Sequence, residues 1–116
     1  FRGTEPTAWS DIKADLKIRK VKVPTGFVHR GFKDALDEVW EDVAKWLTEA
    51  KRQDVFFTGH SLGGALATLA ASRWNTIDTH LYTYGSPRVG GRKFIKSFLS
   101  SNRYRFRNNN FANLVN

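Results

Sequence analysis

The residues best suited to chemistry lie in one run, Val55-Phe56-Phe57-Thr58-Gly59-His60-Ser61-Leu62-Gly63-Gly64-Ala65-Leu66-Ala67. Its first residues are apolar and of high β propensity, which predicts a short buried strand. Leu62, Ala65, Leu66, Leu69 and Ala70 then recur at helical spacing. Between the two, Gly59 to Gly63 read G-x-S-x-G and are expected to form a tight turn with Ser61 at its apex. A serine on such a turn has strained backbone angles and a hydroxyl that stands clear of the sheet. Glycine on both sides lets strand and helix pass close together. The first turn of the helix then points free N–H groups and its positive end at a developing oxyanion. The chemistry implied is acyl transfer through Ser61, with the N–H of Leu62 as the first oxyanion donor. The plainer alternative, a glycine-rich turn without chemistry, is disfavoured by the apolar strand before it and the helix after it.

A serine nucleophile needs a base and an acid to orient that base, and after such a turn they follow in the order acid, then histidine. After Ser61 the only acidic residue is Asp78 and the only histidine is His80. Both precede the next predicted strand, Leu81–Tyr84, at its N-terminal end. Sites of open α/β sheets gather at the opposite, carboxyl edge, so Asp78 and His80 read as surface loop residues. His60 neighbours the nucleophile, but adjacent side chains diverge, and a structural hydrogen bond is the expected role. His29 precedes a helix that starts on the carboxyl edge. It is the substitute base on offer, weighed against a packed or capping role that the pattern favours.

The elements that must position these residues follow from periodicity. Trp9, Ile12 and Leu16 share one helical face. Leu16 to Val23 alternate and then change parity, which predicts a strand with a bulge and Lys17, Arg19, Lys20 and Lys22 toward solvent. Pro24-Thr25-Gly26 marks a turn. Phe32, Leu36, Val39, Trp40, Val43, Leu47 and Ala50 line one face of a long helix whose other face is charged. The helix after Ser61 runs to about Trp74. Strand Leu81–Tyr84 follows, then a helix with Phe94, Ile95, Phe98 and Leu99, then strand Tyr104–Arg107. Strands alternating with helices predict an α/β fold with a mainly parallel sheet flanked by helices.

Several strings resemble the class 3 (fungal-type) triacylglycerol lipases. Thr58-Gly59-His60-Ser61-Leu62-Gly63-Gly64-Ala65-Leu66-Ala67 is similar to their nucleophile elbow, and Phe1-Arg2-Gly3-Thr4 to their F-R-G-[ST] segment. Val28-His29-Arg30-Gly31-Phe32 resembles V-H-x-G-F, and Tyr82 to Gly90 resembles Y-x-x-G-x-P-R-V-G. The resemblance implies a partial α/β-hydrolase fold over residues 1–110, followed by a non-matching tail, residues 111–116. It implies that Phe1 closes a strand already under way and that Thr4 supplies the second oxyanion donor. Trp9, in a W-x-D pattern with Asp11, is the lid candidate, beside its plainer reading as a residue of a core-packed helix. The family's catalytic aspartate follows the strand Tyr104–Arg107 in N-x-x-D. Here Asn108-Asn109-Asn110 is followed by Phe111, so no catalytic Asp is found, and the later histidine has no counterpart.

Composition limits the rest. A chain of 116 residues makes one domain at most. It holds no cysteine, so there is no disulfide framework or thiol chemistry. No signal peptide, N-x-[ST] acceptor or long apolar run is present, although the resemblance is compatible with secretion. The reading calls for no cofactor and no metal. The net charge of +8 favours anionic surfaces. Two functions are compatible with these features. One is a lipid or simple-ester hydrolase, with contact to a lipid surface and self-association if the chain is a fragment. The other is a degenerate hydrolase scaffold that holds anionic membrane or nucleic acid through Lys17–Lys22, Arg103–Arg107 and Trp9. Nucleic acid is the less favoured partner, because Arg and aromatics alternating on a strand more often pack on one face and solvate the other.

Overall fold

Two small sheets share one apolar core. The computed structural model describes residue 1 and residues 20–24, 26–51 and 53–107. Strands β1 (Lys20–Val23) and β2 (Gly26–His29) form an antiparallel pair, and α1 (Arg30–Ala50) follows directly. Strand β3 (Val55–His60) leads through Ser61 into α2 (Leu62–Trp74). Strand β4 (Thr79–Tyr84), the short helix α3 (Arg92–Lys96) and strand β5 (Arg103–Phe106) complete the described chain. The second sheet is parallel, in the order β3-β4-β5, with Phe57 opposite Leu81 and Leu81 opposite Arg103. This is the helix-flanked parallel arrangement expected from the alternation of elements.

Each element forms for a local reason. In β3, Val55, Phe57 and Gly59 face inward while Phe56, Thr58 and His60 face out, the period-2 pattern of a strand covered on one side. Helix α2 is buried almost all round through Gly63, Gly64, Ala65, Ala67, Thr68, Leu69, Ala70 and Ala71. Its small side chains let it lie close on the sheet, and Thr68 returns its hydroxyl to the Gly64 carbonyl (2.8 Å). Helix α1 buries Phe32, Leu36 and Leu47. Complete burial of Leu36 is worth about 1.5–3 kcal/mol. The helix ends at Lys51, whose left-handed backbone (φ 51°) turns its N–H onto the Thr48 carbonyl. Asp37 takes Lys33 one turn earlier on α1 (2.7 Å) and Arg73 from α2, and Arg73 also lies over the Trp40 ring.

The structure corrects several boundaries. The connection after β3 is Ser61 alone rather than Gly59 to Gly63, because Gly59 and His60 remain in register with Thr83 and Tyr84. Strand β4 starts at Thr79, so His80 lies within it. Helix α3 stops at Lys96, which leaves Phe98 and Leu99 outside. The Asn75 side chain intercepts the chain there, donating to the Ser97 carbonyl (3.0 Å) and accepting from the Leu99 N–H (2.9 Å). Strand β5 begins at Arg103 rather than Tyr104. On α1, Val39 is largely exposed, and Trp40 and Val43 only border the core. Leu16 and Ile18 of the predicted first strand lie outside the described residues. Among the described residues no helix is long and apolar enough to cross a membrane.

Candidate active site

Ser61 joins strand to helix as a single residue with φ 55° and ψ −122°. An L-residue rarely adopts a positive φ, and holding one there costs about 1–3 kcal/mol. The surroundings over-determine it. The Ser61 N–H donates to the Tyr84 carbonyl at the end of β4 (2.9 Å), and the Ser61 carbonyl accepts from Gly64 (3.0 Å) and Ala65 (3.3 Å). Both glycines beneath the turn are sterically required. A Cβ on Gly59 would sit 2.2 Å from the Gly63 carbonyl oxygen, and one on Gly64 would sit 2.7 Å from the Ser86 Cβ. Strand and helix thus cross at a separation that only glycine permits.

The consequence is a half-buried serine at the carboxyl edge of the parallel sheet, directly before a helix of 13 residues. The N–H groups of Leu62 and Gly63 belong to the first helical turn, which has no intrahelical acceptors. They lie at the positive end of the α2 dipole, which favours a developing negative charge. The arrangement is suited to an attacking hydroxyl with an oxyanion donor next to it.

The other proposed site residues fall as follows. The Phe1 amino group donates to the Thr58 carbonyl (2.7 Å), so the first residue lies against the outer edge of β3, three residues before the turn. Thr4, Trp9 and Phe111 lie outside the described residues. His29 ends β2 at the start of α1, with its N–H on the Val89 carbonyl (3.0 Å) and its ring edge-on to Phe32 (5.9 Å). Its side chain makes no capping hydrogen bond. His60 is exposed, with its imidazole beside Gly85. No hydrogen bond of that ring exists among the described residues, so the hydrogen-bonding role expected for it is not seen.

Asp54 and His80 form a pair that the sequence reading missed. His80 Nε2 lies 2.9 Å from Asp54 Oδ1, and the ring stacks on Phe56 at 4.3 Å. His80 is level with Phe56, five residues before Ser61, which at the strand rise is about 16 Å away. An acid–histidine pair therefore exists, but at the wrong edge for Ser61. Its members are 26 positions apart, and its one sequence signal was that Asp54 directly precedes β3 and His80 lies at the start of the neighbouring strand. Among the described residues no cluster of His, Asp and Glu could hold a metal.

Strand β5 separates its charges from its rings. Tyr104 stacks on Tyr82 and Phe106 on Tyr84, each at 5.0 Å, on the outward face. Arg103 and Arg105 reach the other way, to the Ile95 carbonyl (2.9 Å) and the Ser86 carbonyl (2.7 Å). The alternation is thus packing on one side and charge on the other, and the two do not interleave on one surface.

Comparison with known proteins agrees with this geometry. The family model for lipase (class 3) matches residues 1–111. A secreted mono- and diacylglycerol lipase of Fusarium solani is 47% identical over 73 residues, 58% of this chain and 22% of that protein. A lipase of Caenorhabditis elegans is 31% identical over an alignment of 121 residues, 92% of this chain and 33% of the relative. Among solved structures, the Rhizomucor miehei triacylglyceride lipase superposes with a TM-score of 0.70 at 34% identity, over 90% of this chain and 46% of its own. A triacylglycerol lipase whose catalytic centre is a serine protease triad matches equally well, with a TM-score of 0.70 at 32% identity, over 90% and 45%. The chain thus spans a third or less of these two curated relatives and somewhat under half of these solved ones. The matching structures are α/β-hydrolase lipases, and the parallel sheet with its Ser61 turn is the corresponding part of that fold. The chain belongs to the class 3 lipase family.

Proposed function

We propose that the protein carrying this chain hydrolyses carboxylic esters of lipids, with Ser61 as the residue that takes the acyl group. The observation that carries the reading is the strained, single-residue connection at Ser61 (φ 55°), which presents a hydroxyl beside free helix N–H groups. Ser61 Oγ adds to the ester carbonyl carbon, and the carbonyl oxygen becomes an oxyanion held by the Leu62 N–H and, following the family resemblance, by Thr4. Collapse breaks the bond to the alcohol and leaves an acyl-serine. Water then adds to that ester and releases the carboxylic acid and the free hydroxyl. The position of Phe1 against β3 supports the assignment of Thr4, because it brings the start of the chain beside the elbow.

Both proton transfers need a base. Within residues 1–116 the substitute for that base is His29, on the elbow's side of the sheet, and Phe111 stands where the family's aspartate is expected. Loss of an ordinary triad histidine costs about 10⁶ in turnover and leaves about 10³–10⁴ over water. The 116-residue chain is accordingly expected to be a feeble esterase. Contact with a lipid surface through Trp9 is proposed on the same footing. It is supported by one solved relative described as a model for interfacial activation in a fungal lipase–inhibitor complex. Secretion is proposed because two relatives carry that word in their names.

The test is hydrolysis of p-nitrophenyl butyrate by the chain and by its Ser61→Ala variant, with mass spectrometry of the Ser61 peptide after acid quench. Slow turnover that Ser61→Ala removes, with a butyryl adduct on Ser61, is expected. Equal rates and no adduct would sink the assignment.

A further inference from the structure

From Thr79 onward the chain contains no acidic residue, yet it holds Arg88, Arg92, Lys93, Lys96, Arg103, Arg105 and Arg107. Seven of the nineteen cations and none of the eleven acids therefore fall in this stretch, and most of the net charge of +8 arises there. The structure gathers five of the seven around one cavity of about 470 Å³, bounded by α3, β5 and the turn after β4. That volume is typical of a small-ligand site. No residue of the Ser61 turn lines it.

The cavity has two kinds of wall. Leu81, Val89, Ile95 and Phe98 make an apolar surface inside it, and Leu81 and Val89 are almost fully buried. Arg88, Arg92, Lys96, Arg103 and Arg105 surround that surface. None of the five has a carboxylate partner among the described residues, whose ion pairs all lie elsewhere. Arg103 and Arg105 are held in place by backbone carbonyls, and Arg103 also lies over the Phe98 ring (5.0 Å). Burial, then Arg107 and Arg88, lowers the affinity of the Arg105 guanidinium for its proton. Cations that crowd one another without an acid gain most from an anion placed among them. A planar guanidinium fork matches carboxylate and phosphate oxygens alike.

We propose that this cavity binds a single-chain amphiphile with an anionic head group, its tail against Leu81, Val89, Ile95 and Phe98 and its carboxylate or phosphate among Arg88, Arg92 and Arg105. The concave apolar wall distinguishes this from adhesion of a flat basic patch to a membrane, because the tail leaves the bilayer and enters the protein. The site is independent of the ester-hydrolysis reading, so the measurement is made in the Ser61→Ala chain, where acyl transfer through Ser61 cannot contribute.

The experiment is titration of that full chain, by calorimetry, with dodecanoate, dodecyl phosphate, dodecanol and inorganic phosphate, each below any micelle-forming concentration. One of the two charged amphiphiles is expected to bind one-to-one, at least about tenfold more tightly than dodecanol or inorganic phosphate. Which one wins identifies the source, a fatty carboxylate or a phospholipid fragment. Affinity should fall about tenfold in the surface variant Arg88→Ala/Arg92→Ala, and also in Ile95→Ser. It should fall again when salt is raised from 50 to 500 mM. Equal binding of dodecanol, equal binding of inorganic phosphate, or unchanged affinity in both variants would each overturn the proposal. So would association with anionic vesicles when neither monomeric charged amphiphile binds.

Discussion

Replacing Ser61 by glycine and by alanine separates the strain at the elbow from its chemistry. The Ser61 angles, φ 55° and ψ −122°, are close to the mirror image of the extended polyproline conformation. Glycine reaches that region as readily as its negative-φ counterpart, whereas any residue with a Cβ pays about 1–3 kcal/mol to stay there. Both variants delete Oγ, and among the described residues that oxygen makes no hydrogen bond, so its removal cancels in the comparison. The backbone bond from residue 61 to the Tyr84 carbonyl survives in both. Against the relief stands the extra freedom of glycine in the unfolded chain, about 0.5–1 kcal/mol. The net expectation is that Ser61→Gly is more stable than Ser61→Ala by roughly 1 kcal/mol. With a urea dependence of about 1–3 kcal/mol per molar for a small protein, the unfolding midpoint should rise by about 0.3–1 M. Circular dichroism during urea unfolding of the two variants is the assay. Equal midpoints, or a lower one for glycine, would refute the claim that the turn stores strain.

The other predictions concern the crossing beneath the turn and the charges on α1. Gly64→Ala places a Cβ 2.7 Å from the Ser86 Cβ and should cost about 1–3 kcal/mol by urea unfolding. Adding Ser86→Gly should recover part of that loss, because the two sites share one contact. Gly59→Ala meets the Gly63 carbonyl at 2.2 Å, backbone that cannot swing aside, and its midpoint should fall further than that of Gly64→Ala. The Asp37 carboxyl is held below its ordinary pKa, chiefly by its hydrogen bond from Lys33, against an opposing contribution from burial, with the hydrogen bond and charge of Arg73 adding to the lowering. A depressed folded-state value means stability that is present above the unfolded value and is lost as pH falls through the folded one. Asp37→Asn should therefore lose stability at neutral pH and match the wild type in strong acid. The pair is partly solvated, so the loss at neutral pH is expected to be at most about 1 kcal/mol.

What could be read from the residues divides along sequence separation. Helix α1 was legible because Phe32, Leu36 and Leu47 repeat at helical spacing, and no competing partner intervenes. The end of α3 was not. Phe94 and Phe98 are four apart and do pack together, at 5.6 Å, but as helix and post-helical chain rather than two turns of one helix. The cause lies 22 residues away in Asn75, whose side chain takes over the Ser97 carbonyl. The length of the Ser61 turn was misjudged for a similar reason. Glycine at position 59 suggested a turn, whereas it serves there as a strand residue that leaves room for the Gly63 carbonyl.

The same division explains which half of the proposed catalytic apparatus is visible. The proposed nucleophile and its first oxyanion donor are adjacent residues, Ser61 and Leu62, so a strand–turn–helix string carries them together. A base and its acid are brought in from loops distant in sequence, where no local pattern marks them. The strand beside the elbow shows how strongly position governs the outcome. At its amino end, His80 is engaged by Asp54 and Phe56 and lies too far from Ser61 to act on it. At its carboxyl end, the Tyr84 carbonyl anchors the Ser61 N–H, and Ser86 closes against Gly64. One strand thus offers a paired histidine at one edge and a scaffold for Ser61 at the other. Because parallel strands all end on the same edge, only groups delivered there can reach the serine. The base proposed for Ser61 therefore has to come from that edge, where His29 stands at the start of α1 with its N–H on the Val89 carbonyl.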